Sequence, residues 1–156
     1  MSVWIGVGLA AVALAAALLY RPTKRLLRDI EFERARELFL LQRERLEAKF
    51  FELASATGKP KGLQWEDCDF QSPISFVRDR SSGQLSAFVE VTIRFIAVEG
   101  GGMENVQAVG NLRNATAVFH YHHGQWGTGG RALFNMNPTE AIHHFQEQFE
   151  PVQSGG

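Results

Sequence analysis

An uninterrupted apolar segment near the start of the chain constrains its fold more than any other feature. Residues Val3 to Tyr20 form a run of 18 residues without a charged residue or a proline. As an α-helix this run is about 27 Å long, close to the roughly 30 Å hydrocarbon core of a bilayer. Trp4 and Tyr20 stand near its two ends, where amphipathic rings suit the headgroup region. The sequence therefore predicts a transmembrane anchor.

A cleaved signal peptide is the alternative interpretation of the same segment. No Lys or Arg precedes the apolar run, and Tyr20, Arg21 and Pro22 follow it in place of the small residues that a signal peptidase requires. These two features favour an anchor that is retained in the mature protein.

The charges beside the anchor predict its orientation. Arg21, Lys24, Arg25 and Arg28 lie directly after the apolar run, whereas only Met1 and Ser2 precede it. Because cytoplasmic flanks carry the excess of Lys and Arg, we expect the N-terminus outside and the remainder of the chain in the cytoplasm. A single cysteine excludes a disulfide framework and is compatible with a reducing compartment.

Small side chains form a stripe along the anchor. Gly6, Ala10, Ala13 and Ala17 recur at spacings of four, three and four residues, which places them on one side of a helix. Such a stripe lets a second helix approach closely in lipid, so we expect contact with other membrane subunits here. The alternative is that an alanine-rich helix produces this pattern by chance.

A charged helix is predicted to follow the anchor, because residues 24–56 contain no glycine. Its apolar residues recur at intervals of three, four and seven, as on one side of a helix. Glu and Arg residues lie between them, and Gly58 and Pro60 predict the end of the helix. A long coiled coil is disfavoured because Gln42 and Lys49 would occupy seam positions. The apolar residues are Phe32, Ala35, Phe39, Leu46, Phe50 and Leu53, and Leu38, Leu41 and Ala54 are expected to widen this side.

The periodicity changes to two after Leu63, which predicts an antiparallel sheet with one buried face. In the long strand Gln84–Val98 the odd-numbered residues are apolar from Leu85 to Ala97, whereas Ser86, Glu90, Thr92 and Arg94 are polar. Asn137 and Glu140 predict a capping box on a final helix that carries Ala141, Ile142, Phe145 and Phe149. The other four predicted strands are Leu63–Phe70, Ile74–Asp79, Ala115–His122 and Gln125–Met136.

The predicted class is therefore α+β: a single N-terminal transmembrane helix, a long helix packed on a curved antiparallel β-meander, and a short C-terminal helix. We divide the chain into an anchor (1–22), a charged stem (23–37), an α+β domain (38–150) and a flexible tail (151–156).

Aromatic residues flank a glycine turn in the stretch from Phe119 to Trp126, and a helix precedes a curved meander. This arrangement resembles the cystatin-like and NTF2-like α+β rolls over roughly residues 38–136. The resemblance concerns the fold and carries no fingerprint residues. Because such rolls include enzymes, binding domains and assembly subunits, it implies no single function.

Two sets of residues are weak candidates for chemistry. His120 and His122 share one face of a predicted strand and would bind a metal if Glu66, Asp67 or Asp69 supplied a third ligand. In NTF2-like enzymes an acid and a His or Tyr inside the pocket transfer protons, and here Asp67, Asp69, Tyr121 and His120 would be the candidates. Ordinary surface residues are the favoured explanation of each set, so we predict no cofactor, no metal and no catalytic residue.

The distribution of charge favours a membrane and disfavours nucleic acid. Residues 21–62 contain 11 basic and 7 acidic residues, whereas residues 63–156 contain 5 basic and 10 acidic residues. We expect a non-catalytic accessory or assembly subunit of a larger membrane complex, the alternative being an NTF2-like pocket domain that binds or turns over a small molecule at the membrane. The loop Glu99–Asn114 is the least predictable stretch. The predicted partner contacts are Gly6, Ala10, Ala13, Ala17, Phe32, Phe39 and Met103.

Overall fold

The structure, a computed structural model, describes residues 2–57, 61–103 and 112–153. A long N-terminal helix precedes an antiparallel sheet of six strands, and a short helix lies near the C-terminus, which confirms the α+β class. The elements are α1 (Ser2–Thr57), β1 (Leu63–Asp79), β2 (Leu85–Ala97), β3 (Arg113–His122), β4 (Gln125–Gly127), β5 (Ala132–Phe134), α2 (Pro138–His144) and β6 (Phe149–Pro151).

Helix α1 combines the predicted anchor and stem in 56 consecutive residues. Pro22, the last residue of the predicted anchor, lies inside the helix and removes one backbone N–H from its hydrogen-bond ladder. Beside it, the Thr23 hydroxyl donates to the carbonyls of Leu19 and Tyr20, at 2.9 Å in each case. The helix ends at Thr57, and the predicted stop residues Gly58 and Pro60 lie outside the described residues.

Strand β1 corrects the expectation of two short strands at this position. It is continuous, and its pairing with β2 shifts register between Trp65 and Asp67 and again between Phe70 and Ile74. At the second shift the Arg43 guanidinium of α1 donates to the carbonyls of Gln71 and Ser72. The irregular segment is therefore supported from the helix, so the strand continues past Pro73.

The strand order is β4-β3-β2-β1-β6, and β5 pairs with the other part of β3. The predicted hairpin between β3 and β4 is confirmed, and His123 and Gly124 both have positive φ there, as a type I′ turn requires. The predicted strand Gln125–Met136 is instead two three-residue strands. The meander expected to have five strands therefore has six paired ones.

The C-terminal region differs from the prediction in one element. The capping box is confirmed, since Asn137 Oδ1 accepts from the Glu140 N–H and Glu140 Oε2 accepts from the Asn137 N–H. However, Phe149 belongs to β6, not to the helix, and β6 pairs with the end of β1. The Val152 N–H also donates to the Phe76 carbonyl, so the first residues of the expected tail are held on the sheet.

The sheet is covered on both faces. Helix α1 packs on the inner face, where the odd-numbered residues of β2 from Leu85 to Phe95 are buried, as predicted. Helix α2 covers part of the outer face, where Phe149 of the edge strand β6 packs on Phe88 at a ring distance of 5.5 Å. Ser86, expected in water, is buried on this outer face, opposite His120 in the register.

Candidate interaction surface and the predicted site residues

The N-terminal half of α1 makes no buried contact with the rest of the chain. Every residue from Ile5 to Glu31 is exposed, and the large apolar side chains in this range are 57–68% exposed. The first buried residue is Phe32. These 27 residues extend about 40 Å along the helix axis. Near the N-terminus, the helix is long enough and apolar enough to cross a membrane. The described part of the chain therefore leaves a large apolar surface of α1 uncovered.

Successive residues of α1 are rotated by about 100° around the helix axis, so the spacing of residues decides which side of the helix they occupy. One side carries Phe32, Ala35, Phe39, Leu46 and Phe50, all buried on the sheet, and we call it the core side. Continued towards the N-terminus, this side carries the four predicted small residues, Gly6, Ala10, Ala13 and Ala17. A helix that packed on the small residues would therefore lie on the same side of α1 as the domain.

The four basic residues after the anchor also lie on the core side. Arg21, Lys24, Arg25 and Arg28 are all exposed, and Lys24 Nζ lies 4.4 Å from the centre of the Tyr20 ring. None of the four forms an ion pair within the described ranges. Their charges are thus open to an anionic headgroup region.

The rings of Phe32 and Phe39, both predicted to contact a partner, are used within the chain. Phe32 packs edge-on against Phe76 at 5.3 Å, and Phe39 packs on Phe119 and Trp126 at 5.4 and 5.0 Å. The side of the stem that stays open to a partner is therefore the opposite one. Met103 is half-buried beside Gly62, and much of the loop around it (104–111) lies outside the described residues.

His120 and His122 lie on the outer face of β3 but in different surroundings. His120 is half-buried, its Nδ1 lies 3.1 Å from Ser86 Oγ, and burial together with the charge of Arg131 lowers its pKa. His122 is exposed and stacks on His123 at 3.9 Å. Within 2–57, 61–103 and 112–153, no three His, Cys, Asp or Glu side chains form a group that could hold a metal ion.

The four residues proposed for proton transfer are not brought together. Asp67 and Asp69 are exposed on the outer face of β1, opposite Arg94 and Thr92 in the register. Tyr121 faces the other way and packs on Trp126 inside the domain. The alternation of side chains along a strand separates Tyr121 from its neighbour His120 in the same manner.

Cys68 lies between the two aspartates and faces the inner core cluster. Burial, reinforced by the charges of Asp67 and Asp69, raises the pKa of its thiol to about 12. The thiol is therefore protonated at neutral pH and unsuited to act as a nucleophile.

Aromatic rings fill the space between α1 and the sheet. Phe50 packs edge-on against Phe70 and Trp65, and Trp126 Nε1 donates to the Ala35 carbonyl at 2.7 Å. In the part of the chain that the structure describes, no buried side-chain nitrogen or oxygen lacks a hydrogen-bond partner. Among the described residues, the space between α1 and the sheet is thus occupied mainly by aromatic rings packed on one another.

An open groove lies outside this core, between α1 and β4. Its volume is about 650 Å³, and polar and apolar side chains contribute to its walls. Arg45, Lys49 and Glu52 line it from the helix, and Trp126 and Thr128 line it from the sheet. This groove is the feature that a small molecule would use if the alternative function applied.

No protein-family model matches the sequence, and neither a curated protein nor a solved structure is significantly similar to the chain. The class that the fold defines is an α+β domain with a long, exposed, apolar N-terminal helix. The cystatin-like or NTF2-like resemblance and the division into anchor, stem, domain and tail stay predictions.

Proposed function

We propose that this protein is a membrane-anchored, non-catalytic accessory or assembly subunit of a larger membrane complex, with its N-terminus outside and its α+β domain in the cytoplasm. The observation that carries the proposal is the exposed apolar segment of α1 from Ile5 to Tyr20, in a helix that continues into a domain whose interior is filled with aromatic rings. The apolar segment needs lipid and protein as cover, and the domain offers exposed surfaces to a partner.

Two electrostatic features support the proposed orientation. The exposed cations Arg21, Lys24, Arg25 and Arg28 begin one residue after Tyr20, where they meet the headgroups of an anionic cytoplasmic leaflet. The chain from residue 63 onwards has five more acidic than basic residues, so the same leaflet repels the domain. Attraction at the base and repulsion of the domain together favour an upright arrangement.

The topology can be tested by labelling introduced cysteines in intact cells. In a Cys68→Ser background, Ser2→Cys should react with a membrane-impermeant maleimide, whereas Gly156→Cys should react only after permeabilisation. Labelling of Gly156→Cys alone in intact cells would reverse the assignment. Labelling of the denatured protein is the control that both introduced cysteines can react.

The assembly role can be tested by enlarging the small residues of the anchor. Ala10→Ile with Ala13→Ile should reduce the membrane proteins that co-purify after extraction in a mild detergent, because bulky side chains prevent close helix approach. Ala11→Ile with Ala15→Ile, on another side of the same helix, is the matched control and should retain them.

A second set of substitutions separates the assembly role from the pocket alternative. Replacement of His120, His122, Asp67 and Asp69 by Ala or Asn should leave the co-purifying proteins unchanged, since these side chains do not form one site. Loss of partners with these polar variants and full retention with Ala10→Ile/Ala13→Ile would instead favour the pocket alternative.

A further inference from the structure

The side of α1 opposite the core side carries a second pattern that the packing of the domain leaves unused. It consists of apolar and acidic residues at spacings of three and four, and we call it the outer face: Leu26, Ile30, Glu33, Glu37, Leu40, Leu41 and Glu44. At about 100° per residue these side chains fall within an arc of about 100°, centred opposite Phe32, Phe39 and Phe50. The spacing is that of a helix–helix seam.

All seven side chains of the outer face are exposed. Leu41, which was expected to widen the apolar side of the helix, is 82% exposed on the side opposite the core. Glu37 and Glu44 form no ion pair in the described part of the chain, and Glu33 has only a long contact of 4.0 Å with Arg36. Neither the apolar nor the acidic members of the pattern thus have a structural role within the chain.

We infer that the outer face binds an amphipathic, basic helix of another membrane-anchored protein, which runs alongside α1 from the bilayer surface to the domain. This inference rests on the proposed function, because it requires α1 to be anchored. The partner helix would place apolar side chains against Leu26, Ile30 and Leu41, and Lys or Arg side chains against the three glutamates.

A bilayer does not account for the outer face. Leu41 lies 21 residues after Tyr20, about 30 Å along the helix, whereas the headgroup region extends only about 5–8 Å beyond each side of the hydrocarbon core. An anionic leaflet would also repel Glu33 and Glu37. Lipid can cover the anchor but does not reach the far end of this surface.

A second copy of the chain does not account for it either. In a parallel pair the seam would set Glu33, Glu37 and Glu44 against the same residues of the other copy, and like charges at facing positions destabilise such a pair. A partner with the opposite charge converts the same three positions into attractive contacts. The charge pattern therefore selects a different chain.

The test uses a designed probe, because the natural partner is not identified. The probe is a transmembrane peptide whose extension carries Leu at the seam and Lys opposite Glu37 and Glu44, and a second probe has Glu in place of Lys. The full chain and one probe are reconstituted in phosphatidylcholine vesicles, and association is measured by energy transfer between fluorophores on the two molecules. We expect the Lys probe to associate about tenfold more strongly than the Glu probe.

Charge reversal supplies the decisive comparison. Glu37→Lys with Glu44→Lys should invert the preference between the two probes, whereas the matched control Glu31→Lys with Glu147→Lys should leave it unchanged. These four glutamates are exposed, so both variants are expected to fold. An unchanged preference in Glu37→Lys/Glu44→Lys, or equal preference in the wild type, would overturn the inference.

Three further outcomes separate this inference from the proposed function. Self-association of the full chain that exceeds its association with the Lys probe would assign the outer face to a second copy and overturn the inference. A chain that floats with the vesicles but associates equally with the Lys and Glu probes would also overturn the inference, although it would support the membrane anchor. A chain that does not float with the vesicles would contradict the proposed function itself.

Discussion

The substitution Val91→Asp tests the packing on which the whole domain depends. Val91 is fully buried on the inner face of β2, between Phe70 of β1 and Ala115 of β3 in the register. Its removal forfeits about 2 kcal/mol of apolar burial. A carboxyl group placed there without a donor adds about 3 kcal/mol more. The combined loss of about 5 kcal/mol is comparable with the whole free energy of unfolding of a marginal domain.

Thr92→Asp is the matched control one residue further along. Thr92 is half-buried on the outer face, and Asp69 lies opposite it in the register. Two carboxylates at facing positions cost about 0.2–1 kcal/mol, so the effect should be small but not zero. Substitution by Asp should thus lower the free energy of unfolding by different amounts at positions 91 and 92, because their side chains lie on opposite faces of the sheet.

The assay is thermal unfolding of the full chain in detergent, followed by near-ultraviolet circular dichroism, to which the buried rings of Trp65 and Trp126 contribute. In a chain of this size a loss of about 1 kcal/mol in the free energy of unfolding lowers the melting temperature by about 2–4 °C. Thr92→Asp should therefore lower it by at most about 4 °C, whereas Val91→Asp should lower it by 10 °C or more, on the order of five such steps. Equal melting temperatures would refute the assignment of the inner face.

Three further predictions concern single contacts. Trp126→Phe removes the N–H that donates to the Ala35 carbonyl but keeps a ring in place, and it should cost about 1 kcal/mol in thermal unfolding. Asn137→Ala removes the cap of α2 and should cost about 0.5–2 kcal/mol, measured in the same way. For His120, burial and then Arg131 lower the pKa in the folded state, so the unfolded state binds more protons below its pKa of about 6.5. Stability should therefore be complete above this pH and fall as the pH drops from 7 to 5, and less so in His120→Gln.

Each of these predictions has its own contrary outcome. An unchanged melting temperature in Trp126→Phe would mean that the hydrogen bond to Ala35 contributes nothing. Asn137→Asp should preserve the cap, and equal losses in the Asp and Ala variants would remove the capping explanation. An identical slope of stability against pH in the wild type and His120→Gln would show that this imidazole is not the group that titrates.

Much of the candidate surface could be read from the sequence because it depends on local patterns. The length of the apolar run and the basic residues after it predict a helix able to span a membrane, and the described part of the chain contains one helix of sufficient length and apolar character. The period of two in β2 assigned Val91 to the core, and Asn137 with Glu140 predicted the cap. Each of these signals lies within a few turns or one strand of the chain.

The four candidates for proton transfer are not brought together, for a reason that the sequence shows in part. His120 and Tyr121 are neighbours on one strand, so their side chains had to point to opposite faces. The position of Asp67 was not visible, because the register shift after Trp65 sets which face each later residue of β1 occupies. A bulge of this kind depends on the partner strand, and no local pattern in the sequence marks it.

Only the tertiary structure decided which surfaces are covered. The continuity of β1 depends on Arg43, 28 and 29 residues away from the carbonyls to which it donates. Ser86 is buried and contacts His120 of the neighbouring strand, and β6 pairs with the edge of β1. The apolar period of α1 could assign Phe32 and Phe39 to one side, but not whether that side packs on the sheet or on another chain. Periodicity and capping are local properties that a sequence encodes directly, whereas the choice of neighbour is a property of the whole packed chain.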